Sequence, residues 1–293
     1  MATLFQFIKP WRGPIPLGFA LRVRDASLSA GREAFVWVRW EVKELEGSIL
    51  EFDSGRAQAK LAGSGQPWIT LKAAVTLDGK IATAAGESKW ITGEAARRVG
   101  HELRALHDAV LVGINTVLAD DPRLTVRLAG KIPSPARIVL DSRGRLPEDS
   151  KFLAHDGCRK FVIVGRRAPL DRIERLRNAG ATVFPCDTDL PMPEQFFPWL
   201  KDQGLETILV EGGGSVHGGL IAAGLADELF LFISGRVIGD PTAPGWCGEL
   251  GLNRLSDTPR ISLSPPRSLG QDILIHGLFQ NDGLPSTDPV VED

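Results

Sequence analysis

Residues 207–225 read TILVEGGGSVHGGLIAAGL, and this stretch decides the fold. An uninterrupted apolar strand, 207–211, runs through a glycine turn into a helix over 215–223. Strands that are apolar on both faces belong in a sheet covered by helices on both sides. Glycines let the backbone approach a ligand closely, and a helix start offers unpaired N–H groups and a positive dipole end. The turn therefore has two readings, a phosphate cradle or a tight turn with no ligand. It is neither the G-x-G-x-x-G fingerprint, since His217 stands where the third glycine belongs, nor a P-loop, since no Gly-Lys-Ser/Thr follows. Glu211 closes the strand at its carboxyl end, where α/β sheets place ligands.

Outward from this unit the pattern repeats. Strands are expected at 69–77, 109–113, 137–141, 161–165, 182–184, 207–211, 228–233 and 272–279. Helices are expected at 93–105, 171–179, 194–203 and 215–223, with Thr92 as an N-cap and Gly180 and Gly224 as stops. This alternation predicts an α/β fold with a mainly parallel central sheet. Residues 66–280 form that domain. Residues 1–65 read as an extension: FVWVRWEVKELE (35–46) alternates as a strand, with Val36, Val38, Trp40 and Val42 on one face, and SGRAQAKLAGSGQP (54–67) reads as a linker. Residues 281–293 are polar and acidic and read as a disordered tail.

Composition narrows the classes of function. Lys plus Arg total 34 against 36 Asp plus Glu, a net charge of −2, so nothing draws the whole chain to nucleic acid or an anionic membrane. The three cysteines (158, 186, 247) form no C-x-x-C pair, and neither a disulfide framework nor a metal site is expected. No apolar run has the length of a membrane span and no signal peptide is visible, so the chain reads as a soluble cytoplasmic protein. Serine-hydrolase and zinc-protease patterns are missing.

Two further segments carry candidate chemistry. In ITLKAAVTLDGKIATAAGESKWITG (69–93), Asp78-Gly79 marks a tight turn. Lys72 sits inside an apolar strand, which is costly unless it meets a charge or ligand or snorkels at an edge. Trp90 is a pocket residue or a core aromatic. The segment from Arg97 to Arg127 holds arginines at 97, 98, 104, 123 and 127. Arg97 and Arg104, seven apart, share a helix face. Guanidinium forks suit an anionic ligand, although a solvated helix face accounts for most such arginines. Asp120-Asp121-Pro122 has two readings, an Asx-type turn by default or a carboxylate pair for acid/base work.

Taken together, LKAAVTLDGKIATAAGESKWITG (71–93), ELRALHDAVLVGINTVLADDPRLTVR (102–127), RIVLDSRGRLP (137–147), LVEGGGSVHGGLIAAGLADEL (209–229) and DILIHG (272–277) resemble the reductase domain of the bifunctional riboflavin-biosynthesis deaminase/reductase. The resemblance implies a dihydrofolate-reductase-like α/β fold, NADPH as hydride donor and a homodimer. It implies reduction of 5-amino-6-(5-phosphoribosylamino)uracil to its ribitylamino product. Ser88, Arg104, Leu124, Arg127 and Glu211 then match substrate-holding positions. Ala74, Trp90, Thr116, Asp120, Ser142 and the loop Gly213, Gly214, Ser215, Val216, His217, Gly218, Gly219 match cofactor positions. Lys72, Asp120 and Glu211 are the candidates for moving a proton, unranked. Ser142, with Arg143 or Arg145, is expected to read the cofactor's 2′-phosphate. The deaminase zinc motifs of the bifunctional members have no counterpart in 1–65, so no deaminase activity is expected. The loop FISGRVIGDPTAPGW (232–246) departs from the family pattern at Ser234-Gly235-Arg236. Two other functions remain on the sequence alone: a reductase of the same fold acting on another pterin- or pyrimidine-like substrate, and a non-catalytic nucleotide-binding module.

Overall fold

The computed structural model describes residues 19–23, 38–42, 50, 53–130 and 132–280. The chain divides into two compact units, 1–48 and 49–293. In the first, β1 (Phe19–Val23) pairs antiparallel with β2 (Val38–Val42). The expected strand is thus present from Val38. Val36 and the expected tail at 281–293 lie outside the described residues.

The second unit opens with α1 (Ser54–Ser64), where a linker was expected. Its Gly and Ser content suggested a linker, but its ends are capped. The Asp53 carboxylate accepts from the N–H groups of Gly55 and Arg56 at 2.9 and 3.1 Å. Gly65 closes the helix in the left-handed conformation, φ +72°. Lys60 of α1 then reaches the nearly fully buried Asp227 at 2.6 Å.

The remaining elements follow in chain order: β3 (Trp68–Val75), α2 (Glu94–Leu106), β4 (Ala109–Gly113), α3 (Ile114–Asp120), β5 (Ala136–Leu140), β6 (Lys160–Val164), α4 (Leu170–Asn178), β7 (Thr182–Pro185), α5 (Pro193–Asp202), β8 (Thr207–Glu211), α6 (Gly214–Ala222), β9 (Glu228–Ile233), β10 (Ile261–Leu263), β11 (Arg267–Leu269) and β12 (Asp272–Phe279). They form a sheet in the order β10-β12-β9-β3-β8-β4-β5-β6-β7, with β11 also on β12. From β9 to β7 every neighbouring pair is parallel, while β12 is antiparallel to β9 and carries β10 and β11. The expected α/β class with a mainly parallel sheet is thus observed.

Two apolar clusters cover the two faces. One packs Ala96, Val99 and Leu103 of α2 with Ile173 and Leu176 of α4 against Val110, Val112, Val139 and Val162. The other packs Phe196, Phe197 and Leu200 of α5 with Leu220 and Ile221 of α6 against Ile69, Leu71, Leu111 and Ile208. Because side chains alternate along β3, Ile69 and Leu71 serve the second cluster and Lys72 and Ala74 turn to the α2 side.

Two local expectations are corrected. Gly93, not Thr92, is the N-cap of α2, and its N–H is held by the Asp272 carboxylate at 2.6 Å. Asp120 ends a seven-residue helix, and Asp121 is its left-handed cap at φ +41°, so no Asx turn forms there.

Candidate functional site

A cavity of about 480 Å³ opens at the carboxyl ends of β3, β8 and β4, under the start of α6 and beside α2. This is where a parallel α/β sheet presents its loops and helix starts. Lys72 and Glu211 are register partners on the adjacent central strands β3 and β8. Arg104 comes down from α2 and grips Glu211 with a fork, Nε to Oε1 at 2.5 Å and Nη2 to Oε2 at 2.8 Å. The Lys72 ammonium stands 3.9 Å from Glu211 Oε2 and over the Phe232 ring.

Burial alone would raise the Glu211 carboxyl. The charge and hydrogen bonds of Arg104, helped by Lys72 and His101, outweigh it and hold the pKa at about 2. Lys72 is lowered as well, but by a different cause. Burial lowers its pKa, Glu211 opposes the fall and Arg104 adds to it. Gly100 of α2 packs against this side chain, where even a Cβ would make only ordinary contact, 3.7 Å from Lys72 Cε.

Seven basic and three acidic side chains line the cavity, a concentration of positive charge in a chain of net charge −2. The three acids are all engaged. Glu211 faces Arg104 and Lys72. Asp121 binds both the ammonium and the backbone N–H of Lys151. Asp120 accepts from the Ser88 hydroxyl at 3.0 Å and lies 3.7 Å from Lys89 Nζ. Arg123 and Arg127 line the same cavity, and among the described residues neither forms an ion pair. The Arg127 pKa is lowered by burial and by the nearby charges of Arg104 and Arg123. Cations pressed together without a counter-charge are an anion site.

The mouth is formed by Trp90, which is 61% exposed and therefore not a core aromatic. The Arg97 guanidinium stacks on it with its carbon 4.6 Å from the ring centre. The opposite wall is the glycine turn. Gly212 and Gly213 take φ of +96° and +84°, conformations that other residues avoid. At Gly212 a Cβ would also press on Thr116 Oγ1 at 3.1 Å. The first N–H groups of α6 point out of the helix start, since Val216 and His217 are the first to bond back to the Gly213 carbonyl. A pyrophosphate-bearing cofactor fits this cradle.

Most residues singled out in the sequence meet here: Lys72, Ala74, Ser88, Trp90, Arg104, Thr116, Asp120, Leu124, Arg127, Glu211, Gly213 and His217 all line the cavity. Gly214, Ser215, Val216, Gly218, Gly219 and Ser142 are not part of its lining. Gly214 and Gly218 instead permit close packing. A Cβ at Gly214 would lie 2.5 Å from the Gly245 carbonyl oxygen, and one at Gly218 would lie 3.0 Å from the Gly248 backbone. His217 lines the wall but is buried between the carbonyls of Trp246 and Val210, at 2.9 and 3.2 Å. Ser142 follows β5, and nearby Arg145 donates to Asn115 at 3.0 Å. Sequence reasoning missed Lys151 and Trp246. Lys151 arrives from a distant segment, and Trp246 sits in the loop flagged as irregular.

The fold and this site define a class, a parallel α/β domain with a basic ligand pocket and a glycine-turn cradle. Residues 67–275 match the model of the RibD C-terminal domain. The chain belongs to that family. It is 36% identical over 212 residues to the 2,5-diamino-6-ribosylamino-4(3H)-pyrimidinone 5′-phosphate reductase of Methanothermobacter thermautotrophicus, covering 72% of this chain and 97% of the relative. It is 35% identical over 236 residues to the riboflavin biosynthesis protein RibD of Bacillus amyloliquefaciens, covering 80% of this chain but 61% of the relative. The chain thus spans about three fifths of the bacterial RibD proteins it matches. Among solved structures, RibD of Acinetobacter baumannii superposes with a TM-score of 0.67 at 30% identity, over 77% of this chain and 61% of that one.

Proposed function

We propose that this chain is an NADPH-dependent pyrimidine reductase. It converts 5-amino-6-(5-phosphoribosylamino)uracil to the ribitylamino product, a step of riboflavin biosynthesis, as a cytoplasmic homodimer. The observation that carries this reading is the Lys72–Glu211–Arg104 group at the floor of a pocket rimmed by the unpaired Arg123 and Arg127. A phosphorylated sugar satisfies the rim, and its amino-linked carbon reaches the floor.

The nicotinamide cofactor supplies the hydride. What the chain supplies is position and a proton. Gly212, Gly213, Thr116 and the start of α6 would hold the cofactor's phosphates. Trp90 and Trp246 keep water from the reacting carbon. Reduction opens the ribose ring, and the departing oxygen takes a proton. Of the three candidates, Glu211 is excluded by a pKa of about 2 and two oxygens committed to Arg104. Asp120 is engaged by Ser88 and Lys89. Lys72 faces the cavity, and burial makes its ammonium a stronger acid than usual, so it gives the proton.

The test is NADPH oxidation by the purified chain. The substrates are the phosphoribosylaminouracil, its 2,5-diaminopyrimidinone counterpart and dihydrofolate. Turnover of the uracil alone supports the reading. Turnover of the diamino compound alone moves the step ahead of deamination. Turnover of dihydrofolate points to another pterin-type substrate. NADPH binding without turnover of any of the three overturns the enzymatic reading in favour of a nucleotide-binding module.

A further inference from the structure

The loop that carries Arg123 and Arg127 has a backbone that its sequence does not favour. Leu124 holds φ +51° although it is a leucine, and its side chain is buried. Asp121, three residues earlier, is also left-handed. A non-glycine residue stays in that conformation only where its surroundings impose it. The imposing contact is on the next residue. The Thr125 carbonyl receives two hydrogen bonds from α2, from Arg104 Nη1 at 3.0 Å and from His101 Nδ1 at 3.1 Å. A carbonyl only accepts, so His101 carries a proton on Nδ1 and donates it. Burial and the charges of Arg104 and Arg127, against a smaller opposing pull from Glu211, keep the ring neutral down to about pH 4.

We infer that His101 is a positioning residue for phosphate recognition. Its Nδ1–H, with Arg104, fixes the Thr125 carbonyl and so keeps Leu124 in the left-handed turn that directs Arg123 and Arg127 into the pocket. A histidine suits this role because it donates without adding a further charge beside three arginines. A lysine at this position would donate too, but with that charge. This inference rests on the functional reading above only for where the phosphate lies.

The test uses the full chain with His101→Ala and His101→Asn. Alanine keeps the helix and removes the donor. Asparagine places an amide N–H near the position of Nδ1. In His101→Ala, KM for the phosphorylated substrate rises by up to about tenfold, the order expected for one neutral hydrogen bond, with little change in kcat. KM for the dephosphorylated ribosylaminouracil and the affinity for NADPH stay as in the wild type, and His101→Asn restores KM. Amide exchange over residues 121–127 also speeds up in the alanine variant and is restored by asparagine. An unchanged KM, an equal rise for both substrates, or failure of asparagine to restore it overturns the inference. If the wild type turns over neither compound, the functional reading falls instead. Exchange over 121–127 then decides this inference alone, and unaltered protection in His101→Ala overturns it.

Discussion

Lys72 and Glu211 lie side by side on neighbouring parallel strands, 3.9 Å apart, yet they are not an equal pair. Glu211 belongs to Arg104, which holds it through two shorter hydrogen bonds, and Lys72 is the surplus cation of the three. Its depressed pKa shows that burial outweighs the attraction of Glu211. Burying this amine costs stability at pH values below its ordinary pKa of 10.5. Lys72→Met is therefore expected to raise the melting temperature while abolishing turnover. Thermal unfolding of the variant checks this, and a lowered melting temperature would mean that the attraction to Glu211 dominates.

Glu211 makes the opposite contribution. Its folded pKa of about 2 lies below the ordinary value of 4.5, so its stabilisation is complete above pH 4.5. That contribution drains away as the pH falls from 4.5 toward 2. Wild type and Glu211→Gln should differ in stability by a constant amount at neutral pH and converge through this acid window. Removing one partner of a buried pair leaves the other uncompensated, so the neutral-pH difference should reach about 3 kcal/mol. Urea unfolding at a series of pH values measures it, and a parallel offset down to pH 2 would exclude Glu211 as the titrating group.

The glycines of α6 separate by what surrounds them. A Cβ at Gly214 would overlap the Gly245 carbonyl oxygen, whereas one at Gly219 would meet nothing within 4 Å. Gly214→Ala should unfold well below the wild type. Gly219→Ala should be more stable by roughly 0.5–1 kcal/mol, the ordinary preference for alanine inside a helix. Melting curves of the two variants decide this, and NADPH titration of Gly219→Ala should match the wild type.

Cofactor choice is expected to lie beyond the cavity, after β5. Ser142, Arg143 and Arg145 stand on the turn there, with Gly144 at φ +62° between the two arginines. Changing both arginines to alanine should weaken NADPH by about tenfold or more, the loss expected for charge-assisted hydrogen bonds to phosphate, and leave NADH unaffected. Titration of both nucleotides reads the ratio, and a retained preference for NADPH would remove the arginines from this role.

How far the sequence was legible follows from which signals are local. β8, its glycine turn and α6 were readable because a buried strand, a left-handed turn and a helix start each leave a mark in consecutive residues. So were β4, β9 and β12, whose observed ends match the expected ones. α1 was misread because Gly and Ser suggest a loop, while the Lys60–Asp227 contact that anchors the helix spans 167 positions. α3 was missed because its seven residues follow β4 with no intervening loop. The resemblance supplied Arg104 and Glu211, but not that they grip each other. Lys151 and Trp246 were invisible because their place in the pocket depends on how distant loops fold back. His101 carried no local signal, since its partner is a carbonyl 24 residues on.

The contact between α6 and the segment after Pro244 has a consequence for how the pocket accommodates its ligands. Gly214 and Gly218 meet Gly245 and Gly248 backbone to backbone, and the Gly248 N–H is bonded to the Gly214 carbonyl at 2.7 Å. Peptide planes seated on one another have no rotamers to exchange, so this side of the pocket is a fixed jaw and carries Trp246 with it. The facing side is built of long, partly solvated side chains, Lys89, Trp90 and Arg97, held by side-chain contacts rather than by backbone seated on backbone. Adaptation to substrates of different size is therefore borne by one side of the pocket, and changes in selectivity are to be sought between Ser88 and Arg97.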